Sequence, residues 1–253
     1  MRLNSCDLTT IRLQFADNPV SDRMNAKSFL AFSMLLFATM DANAADFTPL
    51  FNGKDFNGWH AYARPSTEEP KPDAWKTWKA ENGILKCSGK PNGFLATEKE
   101  YENYSLRLKW RYATDALTKV KRPNSGVLIH INGPDKVWPL SLEIQLANGD
   151  AGDIWLQEDV DKKFPTIEVE KSRHDPKQSR RFIRMGGIEK KFDKPLGEWN
   201  QYEITCKGGA VTVSVNGILA NEAKDCSLKK GRIGFQAEGI EVEFKEIEIK
   251  LNK

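Results

Sequence analysis

Apolar and polar residues alternate with a period of two along most of the chain, and that limits it to β-structure. In LSLEIQLA, Leu140, Leu142, Ile144 and Leu146 fall on one face. In YSLRLKWR, Tyr104, Leu106, Leu108 and Trp110 alternate with Ser105, Arg107, Lys109 and Arg111. In AVTVSVNGILA, Val211, Val213 and Val215 alternate before Asn216-Gly217, a pair that favours a two-residue hairpin turn. In GRIGFQAEG, Ile233, Phe235 and Ala237 oppose Gly234, Gln236 and Glu238. The last stretch keeps apolar residues at 240, 242 and 244 and then at 247, 249 and 251. That slip of phase near Lys245-Glu246 predicts a bulge. Helical periodicity is absent after Ala45. Many short strands separated by turn signals predict an antiparallel jelly-roll β-sandwich. Two stretches, 61–74 and 158–181, are rich in charge and poor in apolar anchors and are expected to be long loops, which on a β scaffold often build binding sites.

The first 44 residues read differently. From Met24, Lys27 supplies a positive start, Phe29 to Met40 an apolar run, and Ala42-Asn43-Ala44 a small-x-small cleavage motif. Residues 24–44 are therefore expected to be a secretory signal peptide, and the run is too short for a transmembrane helix. Residues 1–23 do not resemble the start of such a signal and read as a mis-assigned or disordered extension. Residues 45–253 are expected to form one all-β domain, exported to the periplasm or the extracellular space. Four basic and four acidic residues precede Ala45, so the net charge of +3 stays with the domain. That near balance points to neither nucleic acid nor an anionic membrane as partner, and no second apolar span follows. Of the cysteines after Ala45, Cys206 and Cys226 flank a hairpin and are expected to form a disulfide in an oxidising compartment, leaving Cys87 buried and unpaired.

Polar residues in apolar settings mark the candidate site. Glu143 and Gln145 share the face opposite the leucines of their strand, ~6.6–6.8 Å apart. Ordinary glycosidases need two carboxylates flanking the bond, and this strand offers one. Trp138 and Trp155 bracket the segment and could stack on sugar rings, whereas Trp78, Trp110 and Trp199 are expected in the core. Asp150 and Asp153 lie in NGDAGD, where they either contact substrate or form turns. His130, in GVLIHING, is expected to point with Leu128, and it is either structural, an acid/base or a ligand. Together His130, Glu143 and Asp153 could hold a divalent cation; imidazole with carboxylates suits zinc, manganese or iron.

Seven segments in order resemble one family: FTPLFNGKDFNGWHAY, WKAENGILKCSG, YENYSLRLKWRY, NSGVLIHI, LEIQL, GEWNQYEITCKGGAVTVSVNG and GRIGFQAEGIEVEFKEIEI. On these the chain is similar to the 3-keto-disaccharide hydrolases, from about Phe47 to Leu251. The resemblance implies a concanavalin A-like jelly roll and action on di- or oligosaccharides already oxidised to a ketone at C3. It also implies a 1,2-lyase and a 2-hydroxyglucal hydratase activity, which together give net hydrolysis. Gln236 and Glu238 resemble the family's sheet-lining polar pair and are candidates for substrate contact.

A 3-ketone changes the chemistry required. It acidifies the C2 hydrogen, so the reaction needs one base, a group to stabilise the enolate oxygen and a proton donor for the leaving oxygen. Glu143 is the candidate base or metal ligand, His130 a second acid/base, and Gln145 a group that orients a hydroxyl. A carbohydrate-binding module without chemistry is the alternative reading, and a structural or adhesion domain a third.

Overall fold

The computed structural model describes residues 47–170 and 173–252, within a compact unit spanning Ala45–Lys253. The expected signal peptide and the extension before it lie outside the described residues. In chain order the strands are β1 (Thr48–Pro49), β2 (Trp59–Ala63), β3 (Trp78–Glu81), β4 (Ile84–Cys87), β5 (Gly93–Thr97), β6 (Tyr104–Tyr112), β7 (Gly126–Asn132), β8 (Leu140–Gln145), β9 (Ile154–Gln157), β10 (Arg181–Phe182), β11 (Asn200–Lys207), β12 (Ala210–Val215), β13 (Ile218–Ala223), β14 (Arg232–Ala237) and β15 (Val242–Leu251). The helical elements among the described residues are a single turn at Ala116–Lys119 and a 3-10 turn at Ala74–Thr77. No helix among them is long and apolar enough to cross a membrane.

The strands form two antiparallel sheets, as the period of two predicts. One runs β13-β12-β11-β6-β15-β4-β3, with β1 also paired to β15; the other runs β10-β9-β8-β7-β14-β5-β2. Alternate residues of facing strands fill the space between them, with Leu106, Leu108 and Trp110 from one sheet and Val127, Ile129, Leu142, Ile144 and Phe235 from the other. Asn216 and Gly217 both take positive φ, 52° and 79°, which a right-twisted two-residue hairpin requires. The pairing of β15 with β6 shifts between Lys245 and Glu248, and Glu246 has φ 50°, which is the bulge expected there.

Three expectations change. The three cysteines after Ala45 are free and buried, so the Cys206–Cys226 disulfide is not formed. The Cys206 thiol lies beside the buried Tyr104 hydroxyl, and burial pushes both thiols up, to about 12 for Cys206 and about 11 for Cys226. Thiols held so far into the neutral range give little of the thiolate that disulfide exchange uses. Trp199 is not a core residue: Arg111 and Lys245 both sit 4.5 Å over its ring, on the outer side of the sandwich. The expected loop 61–74 begins as the end of β2, and the segment 158–181 ends by pairing β10 with β9.

Candidate active site

The outer face of the β9-β8-β7-β14 region carries the polar half of each alternating strand. Glu143 and Gln145 project there from β8, since Leu142 and Ile144 occupy the inter-sheet core. Trp155 is Glu143's register partner on β9, and Gln236 projects from β14. With Trp138, Gln157, Glu238, Arg122, Asn124, Ala147 and Arg180 these side chains line a cavity of about 430 Å³. The connections on either side bury its floor, so Glu143 is 3% exposed and Gln236 1%. A larger groove of about 660 Å³ lies near β3 and β4, but its charges are spent in ion pairs such as Lys86–Glu81 at 2.6 Å and Arg111–Glu243 at 2.8 Å.

Among the described residues Glu143 has no cation bonded to it. Gln157 donates a hydrogen bond to its carboxylate. Burial pushes its pKa up to about 7, and the negative charge of Glu238 adds to the rise. Hydrogen bonding from Gln157 and Gln236 and the charge of Arg180 offset part of it. Burial also raises Glu238, while Asn124 and Arg122 favour its charged form. The acid missing from β8 is thus supplied by the segment after β14. Gln236 Oε1 is buried and has no hydrogen-bond partner among the described residues.

Gly126 lets these groups meet. It lies on β7, between the strands that carry Glu143 and Gln236, and pairs in register with Gln145. A Cβ there would lie 2.7 Å from Gln236 Oε1 and 2.7 Å from Glu143 Cγ. Only a residue without a side chain leaves room for the contact across β7. A tyrosine of the opposite sheet holds the end of β8: Tyr202 donates to Gln145 O at 2.5 Å and accepts from Gly152 N at 2.8 Å. Gln145 itself accepts from Ala147 N through Oε1, which leaves its amide N–H groups for the cavity.

The other candidates are placed elsewhere. His130 sits at an irregularity in which the pairing of β7 with both neighbours shifts register, and its φ is 56°. The bulge reverses its expected orientation. Its ring meets Tyr104 of the opposite sheet edge to face at 5.7 Å, while Ile131 takes the face shared with Leu128 and Phe94. His130 Nδ1 donates to Leu228 O at 2.9 Å, and burial lowers its pKa, so it is a neutral structural histidine outside the cavity. Asp153 is fully buried, with Arg181 at 2.6 Å and Arg184 at 2.9 Å. Asp150 pairs with Arg122, with Arg181 at 3.0 Å and with Arg184 at 3.1 Å. His130, Glu143 and Asp153 therefore do not converge as a ligand set, and no three His, Cys, Asp or Glu side chains among the described residues do so.

Sequence reasoning missed Arg122, Asn124, Gly126, Gln157 and Arg180. For Gln157 a signal existed: it is the polar residue two places after Trp155 on the same face. The others depend on which loop folds over which strand.

Comparison with known proteins bears on this arrangement. The model of the 3-keto-alpha-glucoside-1,2-lyase-like domain matches residues 46–250. A 3-keto-disaccharide hydrolase of Bacteroides thetaiotaomicron is 23% identical over 194 residues, covering 70% of this chain and 58% of that protein, so the match spans little more than half of the relative. Two solved structures from Parabacteroides distasonis, both provisionally assigned as glycosyl hydrolases, are similar in fold. One has a TM-score of 0.57 at 25% identity over 85% of this chain and 98% of its own. The other has 0.55 at 21% identity over 81% and 99%. A β-glucanase of Bacillus licheniformis shares the jelly-roll fold at a TM-score of 0.50 and 10% identity, over 82% of this chain and 97% of its own.

Proposed function

Since the chain belongs to the 3-keto-alpha-glucoside-1,2-lyase-like domain family, we propose that it is an exported enzyme that cleaves 3-keto-glucosides by elimination followed by hydration. The observation that carries this reading is the pair Glu143 and Glu238 in one cavity, with Glu143 raised to about 7. A carboxylate of that basicity suits removal of a carbon-bound proton next to a ketone, because general-base efficiency is greatest when the pKa lies near the working pH. Two interacting acids titrate as a unit, and the reactive form is the singly protonated pair with its proton on Glu238, the less populated arrangement because the charge of Glu238 raises Glu143.

Glu143 takes the C2 proton, and the C–H electron pair forms C2=C3 while the carbonyl pair moves onto oxygen. As the ketone re-forms, the double bond shifts to C1=C2, the C1–O bond breaks, and Glu238 gives its proton to the leaving oxygen. Glu238, now a carboxylate, takes a proton from water that adds to C1, and Glu143 returns its proton to C2. The net result is hydrolysis with the 3-ketone retained. Gln145, Gln157 and Gln236 are suited to holding ring hydroxyls, and Trp138 and Trp155 to covering ring faces.

The test is incubation with a 3-keto-disaccharide and, separately, with its unoxidised parent. Turnover of the oxidised sugar alone, with a transient 2-hydroxyglucal, is the expected result. Binding of either sugar without turnover would instead fit a carbohydrate-binding module. Export is tested by the intact mass of secreted protein, which should begin at Ala45.

A further inference from the structure

Arg180 lines the cavity, and its guanidinium lies 5.5 Å over the ring of Trp155. Among the described residues it makes no hydrogen bond and no ion pair through its side chain. Its neighbour Arg181 stands over the same ring at 5.7 Å but is fully committed, to Asp150 at 3.0 Å, Asp153 at 2.6 Å and Asp175 at 3.3 Å. Arg122, the other cation of the lining, is paired with Asp150. Arg180 is thus the one cation of the cavity whose five N–H donors are unspent.

Its place is fixed from both sides. Arg181 pairs in register with Trp155 across β9 and β10, and Arg180 O accepts from Leu156 N at 2.9 Å. The backbone at 180 is therefore tied to the strand edge beside Glu143's register partner, and the Trp155 ring supports the planar guanidinium from below. A delocalised cation with free donors, held beside a cavity whose floor is buried, is suited to an oxygen on which negative charge develops.

We infer that Arg180 is the catalytic group that binds the C3 carbonyl oxygen of the substrate and stabilises the enolate formed when the C2 proton leaves. The inference rests on the proposed elimination. No proton moves to or from Arg180: the carbonyl pair shifts onto oxygen as C2=C3 forms, two N–H groups donate to that oxygen, and the pair returns when C1–O breaks. The fork of arginine can hold one oxygen through two parallel donors while lying flat on an indole; a lysine ammonium cannot.

The test uses the full chain, with Arg180→Ala and Arg180→Lys, a 3-keto-glucoside, and two readouts, turnover and wash-in of deuterium at C2 in D2O. Arg180→Ala is expected to lower kcat by about 10²–10³-fold. Its KM should stay within about threefold and deuterium wash-in should fall in step, as for a group acting on the transition state. Arg180→Lys should fall in between, and added guanidinium should restore part of the turnover of Arg180→Ala but not that of Glu143→Gln. Equal melting of the variants separates the effect from misfolding, and guanidinium rescue does so even if melting changes. An Arg180→Ala protein that keeps wild-type kcat, or that loses activity through KM alone, overturns the assignment. A wild-type protein inert in both readouts overturns the proposed elimination itself, and Arg180's role with it.

Discussion

Two sets of carboxylates flank the same hairpin, and their surroundings make them different chemical objects. Asp150 and Asp153, in the turn between β8 and β9, face Arg122, Arg181 and Arg184 at hydrogen-bonding distance. Glu143, on β8, and Glu238, after β14, face amides, indoles and each other, with Arg122 and Arg180 in the same cavity but bonded to neither carboxylate among the described residues. A buried carboxylate with cations in contact is compensated, and its charge is a structural strut. A buried carboxylate with none holds its proton to higher pH, and that makes it a better base. Burial alone does not separate the two sets; the presence or absence of a bonded cation does.

The sharpest way to break this contrast is to neutralise one acid of each set. Glu143→Gln keeps shape and polarity but removes the base. Turnover of a 3-keto-glucoside is expected to fall by ~10²–10⁴-fold, the range of a general base, with no loss of melting temperature. Near-full activity in that variant would move the chemistry away from Glu143.

Asp153→Asn should do the reverse. Arg184 is fully buried and spends its guanidinium on Asp153, Asp150 and the carbonyls of Gly149, Ile188 and Lys190. Removing its main counter-charge leaves a buried cation undercompensated, at a cost of about 3–5 kcal/mol. Chemical denaturation should show that loss, with whatever protein remains folded turning over substrate normally. A neutral effect on stability, or a turnover defect without one, would place Asp153 in the chemistry instead.

Much of this fold is legible in the sequence. Side chains alternate across a strand, so the face of Leu142 and Ile144 implies the face of Glu143 and Gln145. Asn216-Gly217 and the slip at Lys245-Glu246 are local signals and appear as a hairpin and a bulge. The site is less legible, because it depends on contacts between distant segments. Glu238 lies almost a hundred positions from Glu143, and nothing in either strand's pattern brings them together. His130 shows how one inserted residue defeats a face assignment: beyond the bulge, the alternation that places Leu128 no longer places its neighbours. Gly126 is an absence of side chain, and its meaning appears only once Gln236 and Glu143 are seen on either side of it.

The difference between the two acid sets should also appear in how stability depends on pH. The folded protein holds the Glu143 proton more tightly than the unfolded chain, with a pKa of about 7 against an ordinary 4.5. Its contribution to stability is therefore fully present below about pH 4.5 and is lost as pH rises through about 7, to a total of about 3 kcal/mol. Glu143→Gln cannot ionise. It is expected to melt like the wild type near pH 5 and above it at pH 8, so the same substitution that removes activity stabilises the protein in mild alkali. Parallel melting curves for the two proteins across that range would mean that Glu143 is not held protonated by its surroundings.

The finest division lies within the reactive pair. If Glu143 takes the C2 proton and Glu238 serves the leaving oxygen, their importance should depend on the leaving group. A nitrophenolate departs without protonation, whereas the alkoxide of a second sugar does not. Glu238→Gln is therefore expected to slow a 3-keto-disaccharide by ~10²-fold and a nitrophenyl 3-keto-glucoside by no more than ~threefold, while Glu143→Gln slows both alike. The pH profile gives a second readout. Two groups sharing one proton give a bell, and without Glu238 the alkaline limb should vanish. The limb that remains should report Glu143 alone, and it should stay above the ordinary carboxylate range, because burial is the largest cause of its raised pKa. Equal losses on both substrates would give Glu238 a part in positioning the sugar and leave the leaving oxygen to be protonated by Glu143 itself, with the proton it has just removed from C2.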